Sequence, residues 1–351
     1  MNALSPIPAL TIRAAPLDDA RLEALVRGHE GATPFHLPQW SRAVEIGTGQ
    51  RAHYLVAERD GALRGVLPLT EIRSRLFGST LVSAGFATGG GPLAEDEGTA
   101  SALADAAWAL ARSLGCPTAE LRGGAVPPGW QESTGVYANF TRALPADEGA
   151  LLGLIPRRQR AEVRRALASN LEISAGSDRR HRDAHYRVYA ESVRNLGTPV
   201  FPRALFEAAL DQFGDEADIV IVWQEGRPLA ALLNFYLNGT CQPFWGGGTW
   251  AARKCRANDL IYYALMRHAI ARGCTRADFG RSKIGTGPCA RKRIWDFDER
   301  PLIYAVRTAD GAAPRQVNPL DPKYRLKIAA WQRLPLWLAN RAGPLIARGL
   351  G

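Results

Sequence analysis

Between Asp278 and Phe297 the chain reads DFGRSKIGTGPCARKRIWDF, with five cations, Arg281, Lys283, Arg291, Lys292 and Arg293, spaced around Gly285, Thr286 and Gly287. Glycine lets a backbone turn where other residues clash and lets it approach a ligand closely. Cations flanking such a turn suit an anionic substrate or a negative charge that develops during reaction. The same composition also makes an ordinary basic surface loop. A second basic feature lies upstream in RRQRAEVRRALASN, which follows Pro156. There Arg157, Arg160 and Arg164 recur at i, i+3, i+7 and share one face of a helix. Guanidinium forks match phosphate oxygens bidentately, so this stripe is either a track for a phosphate backbone or a solvated face.

These residues need elements to position them. A helix is expected from Asn258 to Arg272, where Ile261, Leu265 and Ala269 recur at four-residue spacing, Asn258 or Asp259 can cap it, and Gly273 stops it. A short strand, Cys274 to Phe279, leads into the basic stretch. Ahead of the helix, ADIVIVWQEGRPLAALLNFYLNGTCQPFWGGG predicts a three-stranded meander with turns at Glu225-Gly226 and Asn238-Gly239. Trp245, just before Gly246-Gly247-Gly248, either lines a cleft or joins the core. His181 and His185 have i, i+4 spacing but no third ligand nearby, so they are expected in solvent. From Leu10 to about Leu144 a first α+β unit is expected, with a hairpin at Arg59-Asp60-Gly61 and a helix from Thr99 to Leu114. Gly89-Gly90-Gly91 is either a plain turn or a ligand loop.

At 351 residues the chain exceeds what one hydrophobic core usually serves, so two domains are expected. A net charge of +10 and a pI of 9.7 favour anionic partners: nucleic acid, phosphate groups or an acidic membrane surface. Five scattered cysteines, an odd number with no C-x-x-C spacing, indicate reduced thiols rather than zinc or a disulfide framework. The N-terminus, MNALSPIPALTIRAAPLDD, lacks a signal-peptide pattern, and no run approaches the roughly 20 apolar residues of a spanning helix. A cytoplasmic location follows as the expectation, with the tail touching the inner face of the cytoplasmic membrane. That tail, from Lys323 to Gly351, has no acidic residue and mixes cations with Tyr324, Trp331, Trp337 and leucines. It forms either an interfacial segment on an anionic membrane or a strap packed on the protein.

The string DFGRSK-x-GTG, a following basic pair and Trp295 resemble the C-terminal signature of FemAB-like proteins, most closely the FemAB-related branch associated with the exosortase/PEP-CTERM exopolysaccharide system. PFHLPQW (34–40), SVRNLGTPVF (192–201), NDLIYYALM (258–266), NPLDPKYR (318–325) and the tail LPLWLANRAGPLIARGLG resemble it too, so the likeness spans nearly the whole chain. One difference stands out. Where that family has an aromatic-Lys pair and then Trp-Gly-Phe, this chain has Arg291-Lys292 and then Trp295-Asp296-Phe297.

The resemblance implies an α+β fold of two tandem acetyltransferase-like (GNAT) domains with mixed sheets flanked by helices. The meander, helix and strand order agrees with such a core. The expected units are 1–148, 149–310 with the signature loop 278–297, and a basic amphipathic tail at 311–351. It also implies acyl or aminoacyl transfer onto an amine of a cell-envelope or exopolysaccharide precursor, with aminoacyl-tRNA or another activated acyl donor. Neither a metal nor a cofactor is expected. Lys292 takes the catalytic role, and Arg281, Lys283, Arg291, Arg194, Trp245, Asn258 and Asp259 contact substrate. Two alternatives stand beside this: an acyl-CoA-dependent N-acyltransferase of the GNAT superfamily, and a non-catalytic scaffold of an exopolysaccharide assembly system. Acyl-CoA binders carry Arg/Gln-x-x-Gly-x-Gly/Ala before the helix, whose backbone amides hold pyrophosphate. The corresponding ARKCRANDL contains no glycine, which counts against a standard CoA site.

Overall fold

The computed structural model describes residues 9–312 and 322–351. The first eight residues and the first four of the NPLDPKYR segment, including Asn318, lie outside the described residues. In chain order the strands of the first half are β1 (Thr11–Ala14), β2 (Arg51–Arg59), β3 (Ala62–Ser74), β4 (Gly78–Ser83), β5 (Leu93–Ala94), β6 (Thr118–Arg122), β7 (Gln131–Ser133) and β8 (Tyr137–Ala143). Those of the second half are β9 (Glu172–Gly176), β10 (Ala217–Gln224), β11 (Arg227–Leu237), β12 (Thr240–Gly248), β13 (Arg276–Lys283), β14 (Asp298–Pro301) and β15 (Tyr304–Thr308). They build two mixed sheets flanked by helices. One runs β1-β2-β3-β4-β6-β15-β7 with β5 beside β3, and the other β14-β8-β13-β12-β11-β10-β9.

The three expected hairpins form, and for one reason. Asp60-Gly61, Glu225-Gly226 and Asn238-Gly239 all have positive φ at both positions, as two-residue turns matched to strand twist require. The sheets do not divide at residue 148. β8, from the first half, pairs with β13 and β14 in the second sheet, while β15 returns to pair with β6 and β7 in the first. A strand's sheet is decided by its hydrogen-bonding neighbours, which local pattern does not encode. The two halves are thereby laced together. An aromatic cluster joins them as well: Trp40 stacks on Trp245 at 5.5 Å and meets Phe35, Phe235 and Phe244 edge-on. Gly47 of the helix Pro38–Thr48 packs against the backbone of Leu205, where any Cβ would overlap.

The helix Ala257–Ala271 is buried along Leu260, Ile261, Ala264, Leu265, Met266 and Ala269. Its N-cap is Arg256, so Asn258 and Asp259 sit within the first turn instead of capping it. The helix Arg157–Leu167 buries Val163 and Ala166 but leaves Leu167 exposed. Arg160 leaves the expected stripe, because its guanidinium bonds the carbonyls of Gly153 and Ile155 and closes the helix start. The expected solvent-facing histidines are buried. His181 bonds Ser174 and Asp178, and His185 bonds the carbonyl of Trp245. Burial pushes the His185 imidazole down to about 4, which keeps it neutral. No cluster of metal-ligating side chains occurs among the described residues.

The tail packs as a strap. Its helices, Pro322–Arg333 and Leu336–Ala347, contact the helix Arg179–Leu196. Arg194 donates to the carbonyl of Gln332 at 3.0 Å, Gln332 returns a bond to the Asn195 carbonyl at 3.1 Å, and Gly343 lies against Val200. Gln50 and Arg122 of the first half hold the carbonyls of Arg348 and Gly351. Among the described residues no helix is long and apolar enough to cross a membrane.

Candidate functional site

A cleft of about 690 Å³ opens in the second half, where the ends of β12 and β13 meet the first turn of the helix Ala257–Ala271. One wall is the Gly246-Gly247-Gly248 run of β12. Cβ atoms there would overlap Leu232, Ser192 and Asn258 respectively, so glycine is required for the close approach of these neighbours. The other wall is the basic stretch. It is less loop than expected: β13 extends to Lys283, a turn follows, and Gly287–Ile294 form a helix with Pro288 in its first turn. Pro at that position is pre-organised for a helix start.

Between Asp278 and Arg281 the register of β13 against β8 shifts, with Gly280 at φ +63°. Lys292 holds this bulge. It is only 8% exposed, and its Nζ donates to the carbonyls of Phe279, Gly280 and Arg281 at 2.5, 3.0 and 3.4 Å while facing the Phe140 ring. Burial pulls its ammonium down to about 8, and the nearby Asp278 carboxylate opposes the shift. Asp278, itself raised by burial, accepts from Asn139 and from the Gly280 amide.

Arg291 bonds Asp259 at 2.8 Å across the cleft. It is not among the causes that lower Lys292; burial is. Arg281 lines the cleft from β13, donates to the Tyr304 hydroxyl at 3.0 Å and lies over the Tyr137 ring at 4.6 Å. Asn258 and Asp259 line the cleft from the helix's first turn. Five of the expected site residues, Arg281, Arg291, Lys292, Asn258 and Asp259, therefore converge.

The remaining three stand elsewhere. Lys283 lines a separate cavity of about 200 Å³ between the sheets, because the strand carries it past the cleft. Arg194 spends its guanidinium on the tail. Trp245 points into the aromatic core, its indole covered by Trp40, Phe206 and Phe244. Tyr262, Ser192, Arg253 and Arg256 also line the cleft and were not expected there. Arg253 and Arg256 had a signal: they fall in ARKCRANDL, at the helix entry. Arg256 has φ +62°, the conformation a glycine would take there, and its side chain pairs with Glu162. The turn thus keeps a glycine-type backbone without a glycine.

The comparisons agree with this architecture. Residues 157–288 match the family model of the acetyltransferase (GNAT) domain. No curated protein sequence matches the chain. Among solved structures, FemX superposes with a TM-score of 0.65 at 15% identity, covering 84% of this chain and 96% of its own. A tandem GNAT protein from the clavulanic acid biosynthesis pathway gives 0.55 at 11% identity, covering 87% and 100%. The L-PGS of Bacillus licheniformis gives 0.54 at 13% identity, covering 93% and 96%. The chain therefore has a tandem GNAT-like fold, and its residues 157–288 match the acetyltransferase (GNAT) domain.

Proposed function

We propose that the protein transfers an aminoacyl or other activated acyl group onto an amine, forming an amide, in the cleft beside Lys292. The observation that carries this is the lining itself. Arg253, Arg256, Arg281, Arg291 and Lys292 surround it, and Asp259 is the one carboxylate among its described residues. Such a lining suits an anionic donor and the oxyanion of a tetrahedral intermediate. Two of the Lys292 donors are held by close carbonyls; the third, toward Arg281 at 3.4 Å, is the one free to turn to the oxyanion. Asp259, fixed by Arg291, is placed to accept hydrogen bonds from the incoming amine. Substrate positioning accounts for the rest of the rate.

Aminoacyl-tRNA is the donor this reading favours, and an amine-bearing envelope or exopolysaccharide precursor the acceptor, in line with the resemblance to FemAB-related proteins of the exosortase/PEP-CTERM system. The test supplies labelled aminoacyl-tRNA or acyl-CoA to the purified protein with amine acceptors and scores amide formation. Transfer from charged tRNA alone is expected. Transfer from acyl-CoA alone would replace the donor by the second reading, which one observation favours: the left-handed Arg256 preserves the turn that cradles pyrophosphate in CoA-dependent members. A cytoplasmic site at the inner membrane face, with the tail touching anionic lipid, completes the proposal. Trp337, Arg341, Leu345 and Arg348 form an exposed stripe on the outer face of the strap.

A further inference from the structure

Trp250 is a large apolar side chain left 61% exposed. It sits just beyond β12, where the shallow hollow around it is lined by Glu191, Arg194, Asn195 and Gln332, all polar. Arg253, one turn on, lies over the indole with its guanidinium carbon 4.2 Å from the ring centroid. Arg253 also lines the candidate cleft, and so does Arg256. The main chain beneath the pair is held: the Trp250 backbone amide donates to Glu191 Oε1 at 2.8 Å, and the short helical turn Ala251–Arg253 sets the pair at one helix-turn spacing. From Trp250 to Arg256 there are three cations and no acid.

An exposed indole among polar groups does not suit a protein or membrane contact, both of which need a contiguous apolar patch. A flat aromatic paired with a guanidinium, flanked by further cations, is the arrangement that stacks an unpaired base and holds its phosphate. We propose that Trp250 and Arg253 form a platform for an unpaired nucleobase at the mouth of the cleft, so that the acyl donor arrives on a nucleotide carrier. This rests on the acyl-transfer reading above and deepens it by naming the donor's recognition element. A base with an adjoining phosphate is common to the single-stranded 3′ end of an RNA-linked donor and to coenzyme A, and the experiment separates these two.

Binding is measured by fluorescence anisotropy on the full chain. The probes are a labelled hairpin RNA with an unpaired four-nucleotide 3′ end terminating in adenosine, the same hairpin made blunt, and coenzyme A as competitor. Wild type is expected to prefer the overhang. Trp250→Ala should weaken that probe by about 5- to 100-fold, the loss of one base stack, without changing the salt slope, while Trp250→Phe retains most of the affinity. Arg253→Gln should lower the salt slope by about one phosphate contact. Equal binding of the overhang by wild type and Trp250→Ala would overturn the platform while leaving the acyl-transfer reading intact. Displacement by coenzyme A, weakened by Trp250→Ala, with no RNA binding, would support the platform and transfer the donor to coenzyme A. If wild type binds neither probe nor coenzyme, the platform and the nucleotide-borne donor both fall.

Discussion

Replacing Lys292 by methionine is the most informative single change, because the structure assigns its ammonium two jobs with opposite energetic signs. Methionine keeps the stem beside Phe140 but deletes the donor to the carbonyls of Phe279, Gly280 and Arg281. Each buried carbonyl left without a partner costs about 1–3 kcal/mol. Against this, the substitution removes a buried charge. A fall from 10.5 to about 8 corresponds to about 3 kcal/mol of burial penalty at neutral pH. The three lost bonds match or outweigh that penalty, so the net expectation at pH 7 is a destabilisation of up to about 6 kcal/mol. The pH dependence is sharper. Between about 8 and 10.5 the unfolded chain holds the Lys292 proton and the folded chain releases it, so wild-type stability rises with pH across that window. The methionine variant has no such rise. Urea unfolding of both proteins from pH 7 to 10 should show the difference between them growing by up to about 3 kcal/mol, other titrations cancelling. The neighbouring Asp278 carboxyl is itself raised by burial. A flat difference across the window would refute the buried, carbonyl-bound ammonium.

If the same ammonium meets the oxyanion, single-turnover acyl transfer should fall about tenfold per pH unit above about 8, as Lys292 loses its proton; a rate level to pH 9.5 would remove it from the reaction. Gly248→Ala places a methyl on the Asn258 side chain, so we expect about 1–3 kcal/mol of destabilisation in denaturant titration together with weaker donor binding. Arg291→Phe breaks the half-exposed pair with Asp259, so stability should move by less than about 1 kcal/mol while KM for the amine rises; a faster enzyme would show that an aromatic is the better neighbour for Lys292. On the tail, Trp337 and Leu345 are 70% and 72% exposed. Replacing both by serine should strip most of the co-sedimentation with anionic vesicles, and unchanged binding would end the interfacial reading.

The parts of the fold that could be read in the sequence are those set by local chemistry. Asp60-Gly61, Glu225-Gly226 and Asn238-Gly239 announce hairpins because few residues tolerate positive φ, and those turns formed as expected. The Asn258 helix was legible from its four-residue apolar spacing, within a residue of the observed Ala257–Ala271. What could not be read was pairing at a distance. YANFTRA from 137 carries the alternation of a strand, yet nothing in it says that its neighbours are β13 and β14 on the far side of the boundary. His181 and His185 misled for a related reason: a polar residue reads as exposed until the carbonyl or hydroxyl that satisfies it is known.

The site shows the same division more finely. The cations were visible, but their uses were not, since Arg194 and Arg160 look as available in sequence as Arg291 does and are instead bound to backbone carbonyls. The helix entry makes the point most clearly. The absence of glycine from ARKCRANDL counts in sequence against a standard CoA site, because glycine is the residue that takes positive φ without cost. The turn is present nonetheless: the Arg256 carbonyl accepts from the amides of Asp259 and Leu260, and Glu162 anchors its side chain, so tertiary contacts enforce a conformation the residue itself disfavours. What distinguishes this cleft from a glycine-lined pyrophosphate cradle is therefore side-chain volume and charge. Arg256 and Asn258 project where a glycine-rich turn leaves room, and they replace bare backbone amides with a guanidinium and a carboxamide. A donor whose phosphates are spread along a chain can use such groups one at a time, whereas a compact pyrophosphate needs the space they occupy.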